Sequence, residues 1–160
     1  MSPFNSYKII YFTFFICLVA AIFPLPGALN AFRPEWMVMV IFYWIIALPH
    51  RVNIGHTFAL GIILDLLLGS TLGMHALLFS LLAYFTSIHF QRFRNFTLFQ
   101  TTLLVGFFVF VTKVSLYWIA SSIQVIVLHQ SYFWSIFTSM LIWPCFFVVM
   151  RFLRLQFKVS

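Results

Sequence analysis

The stretch LGIILDLLLGSTLG, from Leu60 to Gly73, places an aspartate inside an apolar run. Asp65 is one of only two acidic residues in the chain, and Glu35 is the other. A charged residue near the centre of a membrane-spanning helix costs about 2.5–3.5 kcal/mol on insertion scales, so such a group faces protein or water rather than lipid. We therefore expect Asp65 either to have a partner inside a helix bundle or to be protonated.

Composition indicates that the whole chain is suited to a membrane. Of its 160 residues 64% are hydrophobic and 7% charged, whereas ordinary soluble domains have about 45–50% and about 25%. Six spanning helices of about 20 residues each would use most of this length. We predict an all-α fold: a polytopic membrane helix bundle of six transmembrane helices, forming a single integral-membrane domain over residues 1–160. The predicted spans are approximately residues 9–25, 34–48, 55–69, 74–90, 97–128 and 132–153.

The basic residues predict the orientation of the bundle. With a cytoplasmic N-terminus, seven of the nine Lys and Arg residues fall on the cytoplasmic side, Arg33 lies outside and Lys113 lies within a span. This distribution follows the positive-inside rule. We predict a multi-pass membrane protein with both termini cytoplasmic. The net charge of +7 then serves topology, and we predict no nucleic-acid binding.

The second and third segments are short for a bilayer. Each holds 15 residues, which gives about 22 Å of helix against a hydrocarbon core of about 30 Å. We predict that the two form a tight helical hairpin inside the bundle or in a locally thinned bilayer. Pro34 is expected in the first turn of the second helix, with Glu35 near its N-terminal dipole.

Two other segments have irregular features. The fifth is overlong, and we predict that it tilts strongly or ends in an interfacial turn near residues 121–124. Pro144 removes an amide from the last helix and predicts a kink there.

The partner of Asp65 is open from the sequence. Lys113 is the other charged residue deep in a span, so one hypothesis pairs it with Asp65. Arg33 and Arg51, at the two ends of the second segment, are the alternatives.

Three glycines flank the aspartate, at Gly61, Gly69 and Gly73. Small residues let a neighbouring backbone approach closely, and Gly61 lies one turn before Asp65 on the same helical face. Asp65 then either orients the hairpin or is the group by which another membrane helix is bound. A proton-relay or ion-binding role normally needs more than one acidic group.

Most classes of membrane enzyme need residues that this chain lacks. Intramembrane aspartyl proteases and lipoprotein signal peptidases use two aspartates, whereas the chain has one. Metal-dependent phosphatidyl-group transferases need several carboxylates. Ser70 and His75 lack a nucleophile elbow, and the five His and two Cys residues follow no metal-ligand spacing. We predict no catalytic residues, no cofactor and no metal.

The basic tail RFLRLQFK, residues 151–158, carries Arg151, Arg154 and Lys158 on one helical face. Such a helix either docks a cytoplasmic partner or anchors the chain on anionic membrane lipids. We favour the lipid anchor.

The run FRPEWMVMVIFYWIIALPHRVNIGHTFALGIILDLLLGSTLGMHAL, residues 32–77, contains RP-x-W, YW-x-x-A-x-PHR-x-N-x-G and G-x-x-x-DLL-x-GS-x-LG in that order. With these elements, its length, the Trp143–Pro144 pair and the basic tail, the chain resembles the rod shape-determining protein MreD family. The signature positions that the resemblance implies, as candidates for structure or partner contact, are Arg33, Pro34, Pro49, Arg51, Gly61, Asp65, Gly69 and Gly73.

This resemblance implies a non-enzymatic component of the bacterial inner membrane that belongs to the cell-elongation machinery. Members of the family bind MreC, a single-span protein with a periplasmic coiled coil. They work beside MreB filaments and the enzymes of side-wall peptidoglycan synthesis.

The family is also similar in fold to the substrate-binding subunits of energy-coupling-factor transporters. The alternative function is therefore a small-molecule-binding subunit of that type, with a polar outer pocket around Arg33 and His75. Against it, the chain offers few polar groups to specify a solute.

Overall fold

The computed structural model of the chain describes residues 3–23, 32–123 and 133–157. These residues form six α-helices and no β-strand, which confirms the predicted all-α fold with six helices. In chain order the helices are α1 (Pro3–Ile22), α2 (Trp36–Ala47), α3 (Ile54–Leu68), α4 (Met74–Arg94), α5 (Leu98–Ile123) and α6 (Trp134–Gln156).

Within the described ranges, two helices are long and apolar enough to cross a membrane. They are Leu98–Ile119, within α5, and Trp134–Gln156, which is α6. Tyr7–Ile22, Trp36–Ala47 and Ile54–Leu68 are shorter apolar helices. The arrangement with six spans stays a prediction.

The helix ends differ from the predicted segments at a few places. Helix α4 continues to Arg94, past the predicted end at residue 90. Its last turn contains Arg92 and Arg94, whose positive charge suits the negative end of the helix dipole. Helix α5 is still helical at Ile123. Residues 124–128 of the predicted fifth segment and Lys158 lie outside the described residues.

Helix α2 forms the centre of the bundle. All its residues from Met37 to Ile45 are buried, and it packs against α1, α4, α5 and α6. The Trp44 indole Nε1 donates a hydrogen bond of 2.8 Å to Thr13 Oγ1 in α1. A helix that is apolar on every side is expected inside a bundle, where its shortness needs no match to the bilayer.

The predicted hairpin between the second and third helices is wrong. Helix α3 packs chiefly against α4 and makes a small contact with α1, whereas α2 packs mainly against α4 and α1. Gly61 explains this pairing, because its missing side chain lets the backbone of α4 approach α3 closely. Pro34 and Glu35 precede α2, which begins at Trp36, so the predicted place of Pro34 in its first turn is also wrong.

The three glycines around Asp65 have two roles: two of them form a turn, and the third allows close packing of two helices. Gly69 (φ 63°) ends α3 and Gly73 (φ 98°) precedes α4, and both have the left-handed conformation that favours glycine. Nothing lies within 4 Å of where their Cβ atoms would be, so close packing is the wrong explanation for these two. At Gly61 it is correct, since a Cβ there would overlap the backbone N and Cα atoms of Ala76 in α4.

We expect Gly61→Ala to lower the free energy of unfolding by about 1–3 kcal/mol, because the added methyl group overpacks the contact between α3 and α4. Gly55→Ala, in the first turn of the same helix, is the matched control, because its Cβ would meet nothing within 4 Å. At such an open helical position the same change is neutral or stabilising by up to about 1 kcal/mol. Unfolding in a mild detergent measures both variants, and equal stability would contradict the close packing of α3 on α4.

Candidate functional site

Asp65 lies in the last turn of α3, and its side chain is fully buried. Its Oδ1 atom accepts hydrogen bonds from Ser70 Oγ at 2.8 Å and from the backbone N of His75 at 3.2 Å. The same oxygen lies 2.6 Å from His75 Nδ1, and Oδ2 accepts a bond of 2.9 Å from the backbone N of Gly73. A carboxylate can only accept, so His75 Nδ1 carries the hydrogen.

These contacts make Asp65 the cap of the next helix. The amides of Gly73 and His75 belong to the start of α4, where backbone N–H groups have no partner within the helix. Gly73 at the N-cap has no side chain to accept them, and the Asp65 carboxylate from α3 takes that role. Its negative charge also lies at the positive end of the α4 dipole. Asp65 therefore joins the end of α3 to the beginning of α4.

The backbone of Asp65 closes the same turn from the other side. Its carbonyl oxygen accepts from the amides of Gly69 and Ser70, the latter at 3.1 Å. Both the backbone and the side chain of one residue thus organise the segment from Gly69 to Gly73. The predicted role of Asp65 in orienting a hairpin applies to α3 and α4.

Glu35, the second acidic residue, has a long-range partner. Its Oε1 atom lies 2.5 Å from Lys113 Nζ in α5, and both side chains are partly buried, at 22% and 14% exposure. The hypothesis that Lys113 pairs with Asp65 is therefore wrong. The Asp65 carboxylate receives its hydrogen bonds from Ser70, Gly73 and His75. Lys113 pairs with Glu35 instead. For the same reason the Glu35 side chain does not cap α2.

Hydrogen bonds join the segment before α2 to two more helices, α6 and α1. The backbone N of Glu35 donates a 3.0 Å hydrogen bond to Ser139 Oγ in α6. Arg33 Nη2 donates to the carbonyl of Ala20 at 3.4 Å, near the end of α1, where a cation suits the helix dipole. Glu35 also interacts electrostatically with Arg33 and His75. We call Arg33, Glu35, Asp65, Ser70, His75, Lys113 and Ser139 the polar cluster.

The structure brings together some of the predicted site residues. Arg33, Asp65, Gly69 and Gly73 belong to the polar cluster or to the turn that Asp65 caps, buried Pro34 lies between Arg33 and Glu35, and Gly61 lies one turn before Asp65 in α3. Pro49 and Arg51 lie in the connection between α2 and α3, at the other end of both helices.

Arg51 therefore belongs to a separate contact. Its guanidinium carbon lies 5.1 Å from the ring centroid of Tyr7 in α1, and neither Arg33 nor Arg51 is bonded to Asp65. Ser70, His75 and Ser139 are not among the predicted signature positions. The spacing D-x-x-x-GS-x-LG-x-H contains the first two, and an aspartate just before a glycine turn is placed to bond the start of the next helix.

The geometry of the polar cluster does not match that of a serine hydrolase. A catalytic serine must bond to the histidine that deprotonates it. Here Ser70 Oγ donates to Asp65, and His75 Nδ1 also binds Asp65, so both groups serve the same carboxylate. Among the described residues no group of three His, Cys, Asp or Glu side chains could hold a metal ion.

Arg33 and His75 were expected to line a solute pocket in the alternative function. They are instead engaged with the Ala20 carbonyl and with Asp65. The described contacts of these two residues thus give the carrier hypothesis no support.

Comparisons with known proteins agree on one family. The family model described as rod shape-determining protein MreD matches residues 3–153. The rod shape-determining protein MreD of Haemophilus influenzae is 36% identical over 146 residues, which cover 91% of this chain and 90% of that relative. This relative and the apolar helices indicate a membrane protein. No solved structure matches the chain, so the fold similarity to energy-coupling-factor subunits stays a prediction.

A double-mutant cycle tests the assignment of partners in the polar cluster. We expect Glu35→Gln and Lys113→Gln to show a coupling energy of at least about 1 kcal/mol in the free energy of unfolding, because the two groups form a partly buried ion pair. The control cycle combines Asp65→Asn with Lys113→Gln and should give a clearly smaller coupling. A larger coupling in the control cycle would show that Lys113 belongs to Asp65 after all.

Proposed function

Because the chain belongs to the rod shape-determining protein MreD family and so has a role in rod shape determination, we propose that it is a non-enzymatic component of the cell-elongation complex that binds MreC. In this proposal it crosses the bacterial inner membrane six times, with both termini in the cytoplasm. Through MreC it works with MreB filaments and the peptidoglycan-elongation synthases.

The observation that best supports a helix-binding role is that α3 packs chiefly on one other helix, α4. This helix packs on α4 along one side, where Gly61 and Leu64 are buried. Its other side exposes large apolar side chains, among them Phe58, Ile63 and Leu66. Helix α3 has only 15 residues, so its length of about 22 Å is short for a bilayer core of about 30 Å. A neighbouring helix would relieve that mismatch.

The single span of MreC is the occupant that this surface suits. The exposed side of α3 is apolar, and the one acidic residue of the helix is turned inward and fully buried. A partner helix would therefore bind by close packing rather than by polar contacts. We place the MreC span against Phe58, Ile63 and Leu66.

Asp65 acts on this surface indirectly. Its four hydrogen bonds hold the end of α3 to the start of α4, and α4 packs on the central helix α2. Without them, the end of α3 next to Leu66 loses its fixed place on the bundle. Asp65 is therefore a positioning residue for the MreC surface and makes no contact with MreC itself.

Co-purification tests the binding surface. Tagged chain is extracted in mild detergent with MreC, and the eluted partners are identified by mass spectrometry. We expect Ile63→Trp and Leu66→Trp to reduce the recovery of MreC at least about tenfold, since overpacking of an interface centre costs more than about 1.4 kcal/mol.

Leu141→Trp and Val148→Trp in α6 are the matched controls, because both side chains are exposed apolar groups on another helix. They should recover MreC as the wild type does, with equal amounts of tagged chain in all samples. Equal recovery with the α3 and the α6 variants would contradict the proposed surface.

Cell shape tests the role of Asp65. In rod-shaped cells with this chain as their only copy, we expect Asp65→Ala to give rounded cells while the membrane still contains the protein. Ser87→Ala in α4 is the control, because the hydrogen bond of Ser87 Oγ lies within its own helix, to the Tyr84 carbonyl. Wild-type rods and wild-type MreC recovery in the Asp65 variant would contradict the proposal.

A further inference from the structure

A cavity of about 330 Å³ lies at the end of the bundle opposite the polar cluster. Its walls come from the ends of α2, α4 and α6 and the beginning of α5. The inner wall is aromatic and contains Phe93, Trp143 and Phe147. Three arginines also line it: Arg94, Arg151 and Arg154.

The arginine side chains are held in different ways. Arg154 interacts with the hydroxyl of Tyr43, a buried residue of the central helix that also lines the cavity. Arg94 and Arg151 are exposed and lie on two different helices, α4 and α6. Three positive charges from two helices thus meet on one apolar cavity.

No acidic side chain of the chain is available to this cavity. The two acidic residues of the whole sequence are Glu35 and Asp65. Both belong to the polar cluster at the opposite end, where Glu35 pairs with Lys113 and Asp65 with His75. An anion from another molecule can complement Arg94 and Arg151, which the structure places on the exposed side of the cavity. Guanidinium groups bind phosphate oxygens with two parallel hydrogen bonds, which favours a phosphate among the possible anions.

We propose that this cavity binds the phosphate headgroup of an anionic phospholipid. The three arginines hold the phosphate, and the aromatic wall contacts the first carbons of the lipid. The cavity lies at the end of the bundle where the positive-inside rule places the cytoplasmic leaflet, whose anionic lipids attract juxtamembrane arginines. The lipid would join the ends of α4 and α6, which both line the cavity. This inference requires a membrane location and does not depend on MreC.

Native mass spectrometry of the delipidated full-length protein tests the site. Phosphatidylglycerol and phosphatidylcholine are titrated separately, and sodium phosphate is the third arm. We expect phosphatidylglycerol to bind more tightly than phosphatidylcholine, and phosphate alone to compete weakly. Arg94→Gln with Arg151→Gln should weaken phosphatidylglycerol binding about thirtyfold, while Arg154 is kept because it contacts the core.

The matched control is Lys8→Gln with Arg92→Gln, which removes the same two charges from exposed positions that do not line the cavity. It should keep the affinity of the wild type. Equal loss in both double variants, equal binding of the two lipids, or binding of free phosphate as tight as that of lipid would overturn the proposal. Retained lipid binding together with loss of a co-purifying cytoplasmic protein would also overturn it and identify a protein-docking site. Because MreC recovery is measured separately, failure of this site is distinguishable from failure of the proposed function.

Discussion

A carboxylate inside an apolar helix bundle must find hydrogen-bond donors or a counter-charge, because burial of an unpaired ion is far more costly than any packing gain. This chain has two such groups, and both lie at the same end of the bundle. Asp65 is satisfied locally, by the turn and helix that follow it. Glu35 is satisfied at long range, by Lys113 in α5, while its backbone binds Ser139 in α6. With Arg33 bonded to the end of α1, these contacts join five helices and the segment that leads into α2.

Apolar packing holds the central helix of this fold, and polar contacts hold the ends of the outer helices. In a membrane, lipid is as apolar as a leucine side chain, so close packing and buried hydrogen bonds hold helices together. Close packing holds the centre of the bundle together, because the residues of α2 from Met37 to Ile45 are all buried among the neighbouring helices. Helix α3 packs almost entirely on α4, through the close contact at Gly61 and the hydrogen bonds of the Asp65 carboxylate. Helix α3 thus packs chiefly on one neighbour and keeps an exposed apolar side, which is where we place the partner helix.

Hydropathy was sufficient to predict six helices, because a bilayer demands long apolar runs and polar breaks. It could not predict the neighbour of each helix. The shortness of the second and third segments shows that each needs shielding, but α2 is shielded by four helices and α3 by α4. Lys113 was proposed as the partner of Asp65 because both residues lie deep in their predicted spans. The Asp65 carboxylate instead bonds to the turn that follows α3 and to the start of α4. The left-handed conformations of Gly69 and Gly73 create that turn, and they were interpreted as packing positions.

The central claim is that the side chain of Asp65 caps α4 and thereby fixes α3 on the bundle. Hydrogen exchange of the full-length protein in lipid nanodiscs, compared between the wild type and Asp65→Asn, tests it most directly. We expect faster exchange in the variant for the peptide that contains the amides of Gly73 and His75 and for the end of α3, with α5 and α6 unchanged. Unchanged exchange at the start of α4, or equal acceleration over the whole chain, would contradict the capping role of Asp65.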